Sequence, residues 1–183
     1  MSRIPTPATV EEAPAASRPM LEAVKKHLGV APNMHRLLAN SSAALEGYLA
    51  LSGALDKGML PAPTRERIAL AVAEFNGSNY CLSVHNYLGK NRAKLDDAEI
   101  TANRDGRSND PKADAAVKFA AKVARERGHI SDADLRAVKA AGYDDAQVIE
   151  IIQHVALNDF TNFINLAAQT EIDFPLITAR KAA

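Results

Sequence analysis

The fold of this 183-residue chain is decided by the stretch RERIALAVAEFNGSNYCLSVH, residues 65–85. Its first half is rich in strong helix formers, and Asn76-Gly77-Ser78-Asn79 then supplies a break followed by a helix cap. The stretch therefore predicts two consecutive helices joined by a short turn. The only cysteine of the chain, Cys81, falls in the first turn of the second helix.

Cys81 and His85 are four residues apart, so a helix places both side chains on one face, one turn apart. At that separation an imidazole can accept the thiol proton or stabilise the thiolate, which is the reactive form of cysteine. The positive end of the helix dipole favours the thiolate as well. The spacing leaves a second interpretation open, in which Cys81 is a small buried hydrophobe and His85 an ordinary surface or hydrogen-bonded histidine.

The rest of the chain predicts helices and no strands. Apolar residues recur at helical spacing between Pro, Gly and Asn breaks, and alanine and leucine dominate the composition. We expect an all-α protein with one domain, residues 1–183, which is long enough to bury a core. Residues 1–16, rich in Pro, Ala and Glu, are expected to form an extended N-terminal arm.

Charge and composition exclude several classes of function. The 22 Lys and Arg residues balance the 22 Asp and Glu residues, so nothing points to nucleic acid or to an acidic lipid surface. No apolar run reaches membrane-spanning length, and the N-terminus lacks the apolar core of a signal peptide. A single cysteine excludes an internal disulfide framework and fits a reducing compartment. We expect a cytoplasmic protein that binds neither nucleic acid nor membrane.

The five histidines do not cluster at the spacings of metal sites, and Cys81 with His85 supplies only two ligands. We expect no metal and no cofactor. The last helix carries a polar line within an apolar element, with His154, Asn158 and Asn162 at four-residue steps and Asn165 next. This line fits hydrogen bonding across a buried helix–helix contact or a subunit interface, or the lining of a pocket beside Cys81.

These residues together resemble the core of the alkylhydroperoxidase AhpD / carboxymuconolactone decarboxylase family. The likeness rests on Arg-Glu-Arg-Ile-Ala-Leu-Ala-Val-Ala, the turn, and Tyr-Cys-x-x-x-His, and it extends over most of residues 20 to 175. Redox members carry Glu, eleven further residues, and then Cys-x-x-Cys-x-x-x-His. Here Glu66 corresponds to the relay glutamate, Ser78 stands in place of the first cysteine, Cys81 corresponds to the second cysteine, and His85 corresponds to the histidine.

The resemblance implies an AhpD-like helical bundle that assembles as a homo-oligomer, a trimer or a hexamer. It also implies a reaction in which Cys81 attacks a hydroperoxide while His85 and Glu66 relay the proton through a water. Ser78 cannot form a disulfide, so the oxidised cysteine must be resolved by an external thiol or by Cys81 of another subunit. The Ser78 hydroxyl can still donate a hydrogen bond to the Cys81 thiolate, because residues 78 and 81 share a helix face. The sequence thus predicts a peroxidase-type oxidoreductase with one reactive cysteine.

Two alternatives remain. The family name also covers the decarboxylation of a small lactone acid, a lyase reaction that needs proton transfer and no thiol chemistry. Glu66 and His85 would then form the acid–base pair that acts on a small organic acid, and Cys81 would only pack. In the second alternative the protein is a non-catalytic, oligomeric member of the family or a binding module.

Overall fold

The structure, a computed structural model, describes residues 2–180. Met1 and residues 181–183 lie outside it, so the ends of the predicted arm and of the predicted domain fall beyond the described residues. The described part of the chain is all-α, as the sequence predicts, and contains no strand. Its nine helices are α1 (Arg18–Leu28), α2 (Asn33–Leu38), α3 (Ser42–Leu55), α4 (Ala62–Asn76), α5 (Asn79–Asn91), α6 (Asp97–Arg104), α7 (Pro111–Arg125), α8 (Asp132–Ala140) and α9 (Asp145–Ala168).

Helix α4 lies at the centre of the bundle and packs against α5, α6, α7 and α9. Its side chains are apolar around most of its circumference, which is the pattern of a helix buried on all sides. Leu70 and Ala73 contribute to a core shared with α1, α3 and α5. Ile68 and Val72 contribute to a second core shared with α7, α8 and α9. The central position of α4 fixes how α5 and α9 lie relative to each other.

The N-terminal arm folds back on the same chain. Apart from a short 3-10 helix at Ala15–Ser17, residues 2–17 form no helix, and Val10 and Ala13 are buried in the first core. The Arg36 guanidinium donates to the Pro7 carbonyl at 2.9 Å. The arm is therefore held by contacts with its own domain.

The residues that follow α9 also pack on the bundle, across the outer face of α5. The Asp173 carboxylate accepts hydrogen bonds from the Tyr80 hydroxyl at 2.9 Å and from the Asn33 amide at 2.8 Å. Further along, the Ile177 amide donates to the Ser83 hydroxyl at 2.9 Å. This C-terminal segment, residues 169–180, thus lies close to the first turns of α5, which carry Cys81.

Candidate active site at Cys81

The turn between α4 and α5 positions Cys81. Gly77 has φ +70°, a left-handed conformation that favours glycine, and this residue ends α4. Ser78 then caps α5, and its hydroxyl accepts a hydrogen bond from the Cys81 amide at 3.4 Å. Cys81 is the third residue of α5, so the predicted break and the predicted placement in the first turn are both observed. The Ser78 hydroxyl is engaged by the backbone amide of Cys81.

The sulfur of Cys81 is buried among neutral polar groups of α9. Asn165 Nδ2 donates to Sγ at 3.4 Å, and Thr161 Oγ1 lies 3.9 Å from Sγ, where it accepts from the thiol. Only 3% of Cys81 is exposed. Burial raises the pKa of the Cys81 thiol, while its hydrogen bonds with Ser78, Asn165 and Thr161 oppose that rise. The resting form of Cys81 is therefore the protonated thiol.

Glu66 and His85 form a pair between α4 and α5. His85 Nδ1 lies 2.9 Å from Glu66 Oε2, and both side chains are one-fifth exposed. Because an ionised carboxylate only accepts hydrogen bonds, this contact assigns the proton of a neutral imidazole to Nδ1 and leaves the lone pair of Nε2 free. Glu66 is the fifth residue of α4, beyond the first turn, so it does not cap the helix. Its carboxylate is available to orient His85.

Cys81 and His85 lie one turn apart on α5 but share no hydrogen bond within residues 2–180. Proton transfer between the sulfur and the imidazole therefore requires a bridging water or a bound substrate. The four residues named by the sequence lie on α4 and α5 and at the cap between them: Glu66, Ser78, Cys81 and His85. They form two separate contacts, one at the helix cap and one at the carboxylate–imidazole pair.

The polar line of α9 is buried where α9 packs against α4 and α5. His154, Asn158, Asn162 and Asn165 are all at most 6% exposed, and Asn165 contacts the Cys81 sulfur directly. Asn165 thus makes a hydrogen bond across the buried contact between α9 and α5, which is the first of the arrangements that the sequence left open. Thr161 lies on the same face of α9. The sequence did not indicate it, because an isolated threonine in an apolar helix is common.

Several polar atoms on this face have no hydrogen-bond partner among the described residues. They are Nε2 of His154, both amide atoms of Asn162 and Oδ1 of Asn165. Burial, together with the nearby Arg65 charge, lowers the pKa of His154 to about 4. His154 is therefore neutral at physiological pH. A buried polar face with unused hydrogen-bonding capacity is suited to hold a polar ligand or water.

Tyr48 of α3 was not indicated by the sequence. Tyr48 packs edge-on against His35 at 5.4 Å between ring centroids and stacks on Phe160 at 6.3 Å. Burial raises the pKa of Tyr48 to about 12, and the proximity of Cys81 adds to this rise. Tyr48 is thus a neutral phenol near the sulfur, and no sequence spacing links α3 to α5.

Comparison with known proteins shows what this chain is similar to. Residues 42–126, which span α3 to α7, match the carboxymuconolactone decarboxylase family. None of the curated proteins matches the chain. Among solved structures, a peroxidase-related protein from Ralstonia eutropha JMP134, described as an alkylhydroperoxidase AhpD core, has a TM-score of 0.82 at 22% identity and covers 94% of this chain and 92% of its own.

Two further structures share the fold. A peroxidase-related protein from Silicibacter sp. TM1040 has a TM-score of 0.78 at 22% identity and covers 91% of each chain. The debrominase Bmp8 has a TM-score of 0.76 at 21% identity and covers 92% of this chain and 91% of its own. Another structure of Bmp8 holds 2,3,4-tribromopyrrole. At these identities the likeness establishes the fold, and the three names show how diverse the proteins with this fold are.

The described part of the chain therefore has the AhpD-like helical fold of these structures. Over residues 42–126 the chain is similar to the carboxymuconolactone decarboxylase family, as its sequence motif predicts. Within residues 2–180 no helix is both long and apolar enough to cross a membrane. In the same part of the chain no three His, Cys, Asp or Glu side chains are grouped so that they could bind a metal ion.

Proposed function

We propose that this protein is an AhpD-like oxidoreductase that reduces hydroperoxides through the single thiol of Cys81. The observation that carries the proposal is the hydrogen bond from Asn165 Nδ2 to Cys81 Sγ at 3.4 Å, next to the Glu66–His85 pair. A donor aimed at sulfur stabilises the thiolate that forms when the proton leaves, and a carboxylate-oriented imidazole can take that proton.

The reaction begins with the thiol, because burial holds the sulfur protonated at rest. A hydroperoxide or a water between Cys81 and His85 passes the thiol proton to Nε2 of His85, and Glu66 stabilises the imidazolium. The thiolate attacks the outer oxygen of the peroxide and breaks the O–O bond. The leaving alkoxide takes the proton back from His85, so a thiol and a hydroperoxide give a sulfenic acid and an alcohol.

The sulfenic acid needs a second thiol, because Ser78 has no sulfur and the chain has no other cysteine. An external thiol attacks the sulfenic sulfur, water leaves, and a mixed disulfide forms. A second external thiol then restores Cys81 and leaves as a disulfide. Cys81 of another subunit is the alternative resolving thiol.

A pulse experiment tests this function. The reduced protein is exposed briefly to hydrogen peroxide with dimedone present, and its intact mass is measured for wild type, His85→Ala and the surface control His129→Ala. We expect one dimedone adduct on Cys81 that forms rapidly in wild type and the control and far more slowly in His85→Ala. A thiol that reacts no faster than free cysteine in all three proteins would refute the proposal.

A lyase is the second candidate, and one observation favours it. The Glu66–His85 pair is formed at 2.9 Å, while His85 makes no hydrogen bond to the sulfur. Such a pair can move a proton on a small organic acid without help from a thiol. Turnover of a lactone acid or a β-keto acid that survives Cys81→Ser unchanged and disappears in His85→Ala would establish this function instead.

We also infer that the protein forms a homo-oligomer, a trimer or a hexamer. One side of α9 carries large apolar side chains that are exposed, among them Ile149 and Phe163 at 59% each. Ile152, Phe160 and Leu166 extend the same side at helical spacing. A continuous apolar stripe on a 24-residue helix is typical of a protein–protein interface.

A further inference from the structure

The C-terminal segment, residues 169–180, packs along α5 without forming a helix or a strand of its own. Four of its apolar side chains pack on the first core: Ile172, Phe174, Ile177 and Ala179. Phe174 lies edge-on to two rings of α5, with ring centroids 6.3 Å from Tyr80 and 5.8 Å from Tyr87. The segment thus forms the outer wall of the first turns of α5.

Hydrogen bonds attach this segment at both of its ends. At its start, one carboxylate oxygen of Asp173 accepts from the Tyr80 hydroxyl at 2.9 Å, and the other accepts from the Asn33 amide at 2.8 Å. At its end, the Ala179 amide donates to Asn79 Oδ1 at 2.8 Å. Both attachments involve the first turn of α5, the turn that carries the cysteine.

Cys81 and the C-terminal segment lie on different sides of α5. Tyr80, Ser83 and Tyr87 recur at intervals of three and four residues and contact the segment. Cys81 instead contacts Asn165 of α9. The first turn of α5 is therefore held between α9 and the C-terminal segment. While the segment is in place, it blocks the outward movement that would separate the cysteine from α9.

The sulfur of Cys81 has no open route to a large reagent. Only 3% of the residue is exposed. A cavity of about 220 Å³, open to solvent, lies beside Ser78 at the N-terminus of α5, but Cys81 does not line it. An external thiol has to reach the sulfur itself in order to resolve an oxidised cysteine. The cysteine therefore has to become accessible before that step.

We propose that the C-terminal segment is a gate for Cys81. When the segment lifts, the first turn of α5 moves outward about Gly77, whose left-handed conformation joins the two helices, and the external thiol gains access. The inference rests on the proposed peroxidase function. In the gated step the thiol attacks the sulfenic sulfur, an S–S bond forms, the S–O bond breaks, and the oxygen leaves as water with the thiol proton. Asp173 and Tyr80 are positioning residues, because neither one touches the sulfur.

The attachment at Asp173 is the weaker of the two. Asp173 is exposed, so its hydrogen bonds compete with water. At the other end Glu74 is only 6% exposed, and its carboxylate accepts from the Arg180 amide at 2.7 Å and from Arg104 Nε at 2.6 Å. Opening therefore begins at Asp173, while the segment remains attached near Arg180.

The reactivity of the reduced thiol measures this gate. Wild type, Asp173→Ala and Glu171→Ala are mixed with dithionitrobenzoate, a large aromatic disulfide that Cys81 cleaves with release of a coloured thiolate. Both variants lose one carboxylate from the same segment, but the Glu171 side chain makes no hydrogen bond within residues 2–180. We expect Asp173→Ala to react roughly 10- to 100-fold faster than wild type, and Glu171→Ala to react as wild type. Equal rates in all three proteins would overturn the inference.

A second variant and a urea series separate the gate from general loss of stability. Tyr80→Phe removes the hydroxyl that Asp173 binds and keeps the ring next to Phe174, so it should also react faster. Lifting one segment exposes little surface, so the rates should rise only weakly with urea below the unfolding transition. A urea dependence as steep as that of global unfolding in every protein would mean that no local gate exists.

Hydrogen exchange identifies the moving segment. The Ile177 amide donates to the Ser83 hydroxyl, so it exchanges when the segment lifts. We expect Asp173→Ala to speed exchange at Ile177 by the same factor as the thiol reaction. The amide of Ala120, a fully buried residue of α7, should be unaffected. A faster thiol reaction with unchanged exchange at Ile177 would show that reagents reach Cys81 by another route.

These measurements need no peroxide, so the gate and the peroxidase function can fail separately. If hydrogen peroxide leaves Cys81 unmodified while Asp173→Ala still speeds the reaction with dithionitrobenzoate, the gate stands and the peroxidase function alone has failed. If peroxide oxidises Cys81 rapidly while Asp173→Ala and Glu171→Ala react alike, the gate is refuted and the peroxidase function stands. If both hold, peroxide-treated Asp173→Ala should form a mixed disulfide with mercaptoethanol faster than Glu171→Ala does, and equal rates there would refute the role of the gate in resolution.

Discussion

Asn165 of α9 donates its side-chain amide to the sulfur of Cys81 at 3.4 Å, across 84 residues of sequence. The same amide nitrogen also donates to the Thr161 carbonyl one turn earlier at 2.9 Å, so its orientation is fixed by its own helix. A fixed donor on a buried sulfur lowers the cost of forming the thiolate there. The contact links the last helix of the bundle to the reactive group of α5.

Replacing Asn165 tests this link. Asn165→Leu keeps the approximate volume and removes the donor, so the thiolate of Cys81 becomes harder to form. We expect the rate of alkylation by iodoacetamide at pH 8 to fall by up to roughly tenfold, the value of one hydrogen bond. Asn91→Leu, at the exposed end of α5, is the matched control and should react as wild type. An unchanged rate in Asn165→Leu would show that the amide does not affect the thiol.

The Glu66–His85 pair is expected to act as one unit. Glu66→Gln removes the charge that orients and stabilises the imidazolium, and His85→Ala removes the base. We expect each to slow sulfenic acid formation by roughly 100-fold, and the double variant to be no slower than His85→Ala alone. Stopped-flow oxidation of all four proteins measures this. Effects that multiply in the double variant would mean that the two residues act independently.

Glu99 ties α6 to α4 and to the loop before α7. Its carboxylate accepts from Arg67 Nε at 2.6 Å, Asn103 Nδ2 at 3.0 Å and the Asn109 amide at 2.7 Å. Burial by itself raises the pKa of Glu99, but hydrogen bonds from Ser108, Asn103, Asn109 and Arg67 together lower it to about 2. Because this pKa is below the unfolded value of 4.5, the stabilisation is complete above that value and is lost as the pH falls toward 2.

The expected result for Glu99→Gln follows from this lowered pKa. At pH 7 the free energy of unfolding should fall by about 3 kcal/mol, the cost of breaking a buried ion pair. The difference from wild type should shrink as the pH drops from about 5 to 2, since the wild-type carboxylate then becomes protonated. Urea unfolding at pH 7 and pH 3 measures it, with the exposed Glu126→Gln as control. A difference that is the same at both pH values would contradict the assignment.

The apolar stripe of α9 predicts the assembly state. Phe163→Asp places a charge at a position that is 59% exposed in the single chain and would be buried in an oligomer. We expect light scattering to give a trimer or a hexamer for wild type and a smaller species for Phe163→Asp. Val30→Asp, at a similar exposure of 57% but away from α9, should assemble normally. A monomeric wild-type protein would refute the predicted oligomer.

Helix positions and the candidate residues followed from the sequence because their signals are local. Gly77 ends α4 and Ser78 caps α5 through contacts within a few residues. Glu66 and His85 come into contact as soon as the two helices pack antiparallel to each other. The pattern of apolar residues was likewise enough to predict an all-α fold, because helical spacing can be read directly from the sequence. The family motif lies within this same local stretch.

The tertiary structure alone decided what the sulfur contacts. Spacing on α5 allowed a hydrogen bond between Cys81 and His85, but the packing of α9 placed Asn165 and Thr161 at the sulfur and α4 placed Glu66 at His85. The cavity beside Ser78 likewise needs α5, the end of α9 and residue 172 in one place. An interval of four residues fixes which side chains share a helix face, whereas the choice of hydrogen-bond partner depends on the burial and polarity that neighbouring helices create.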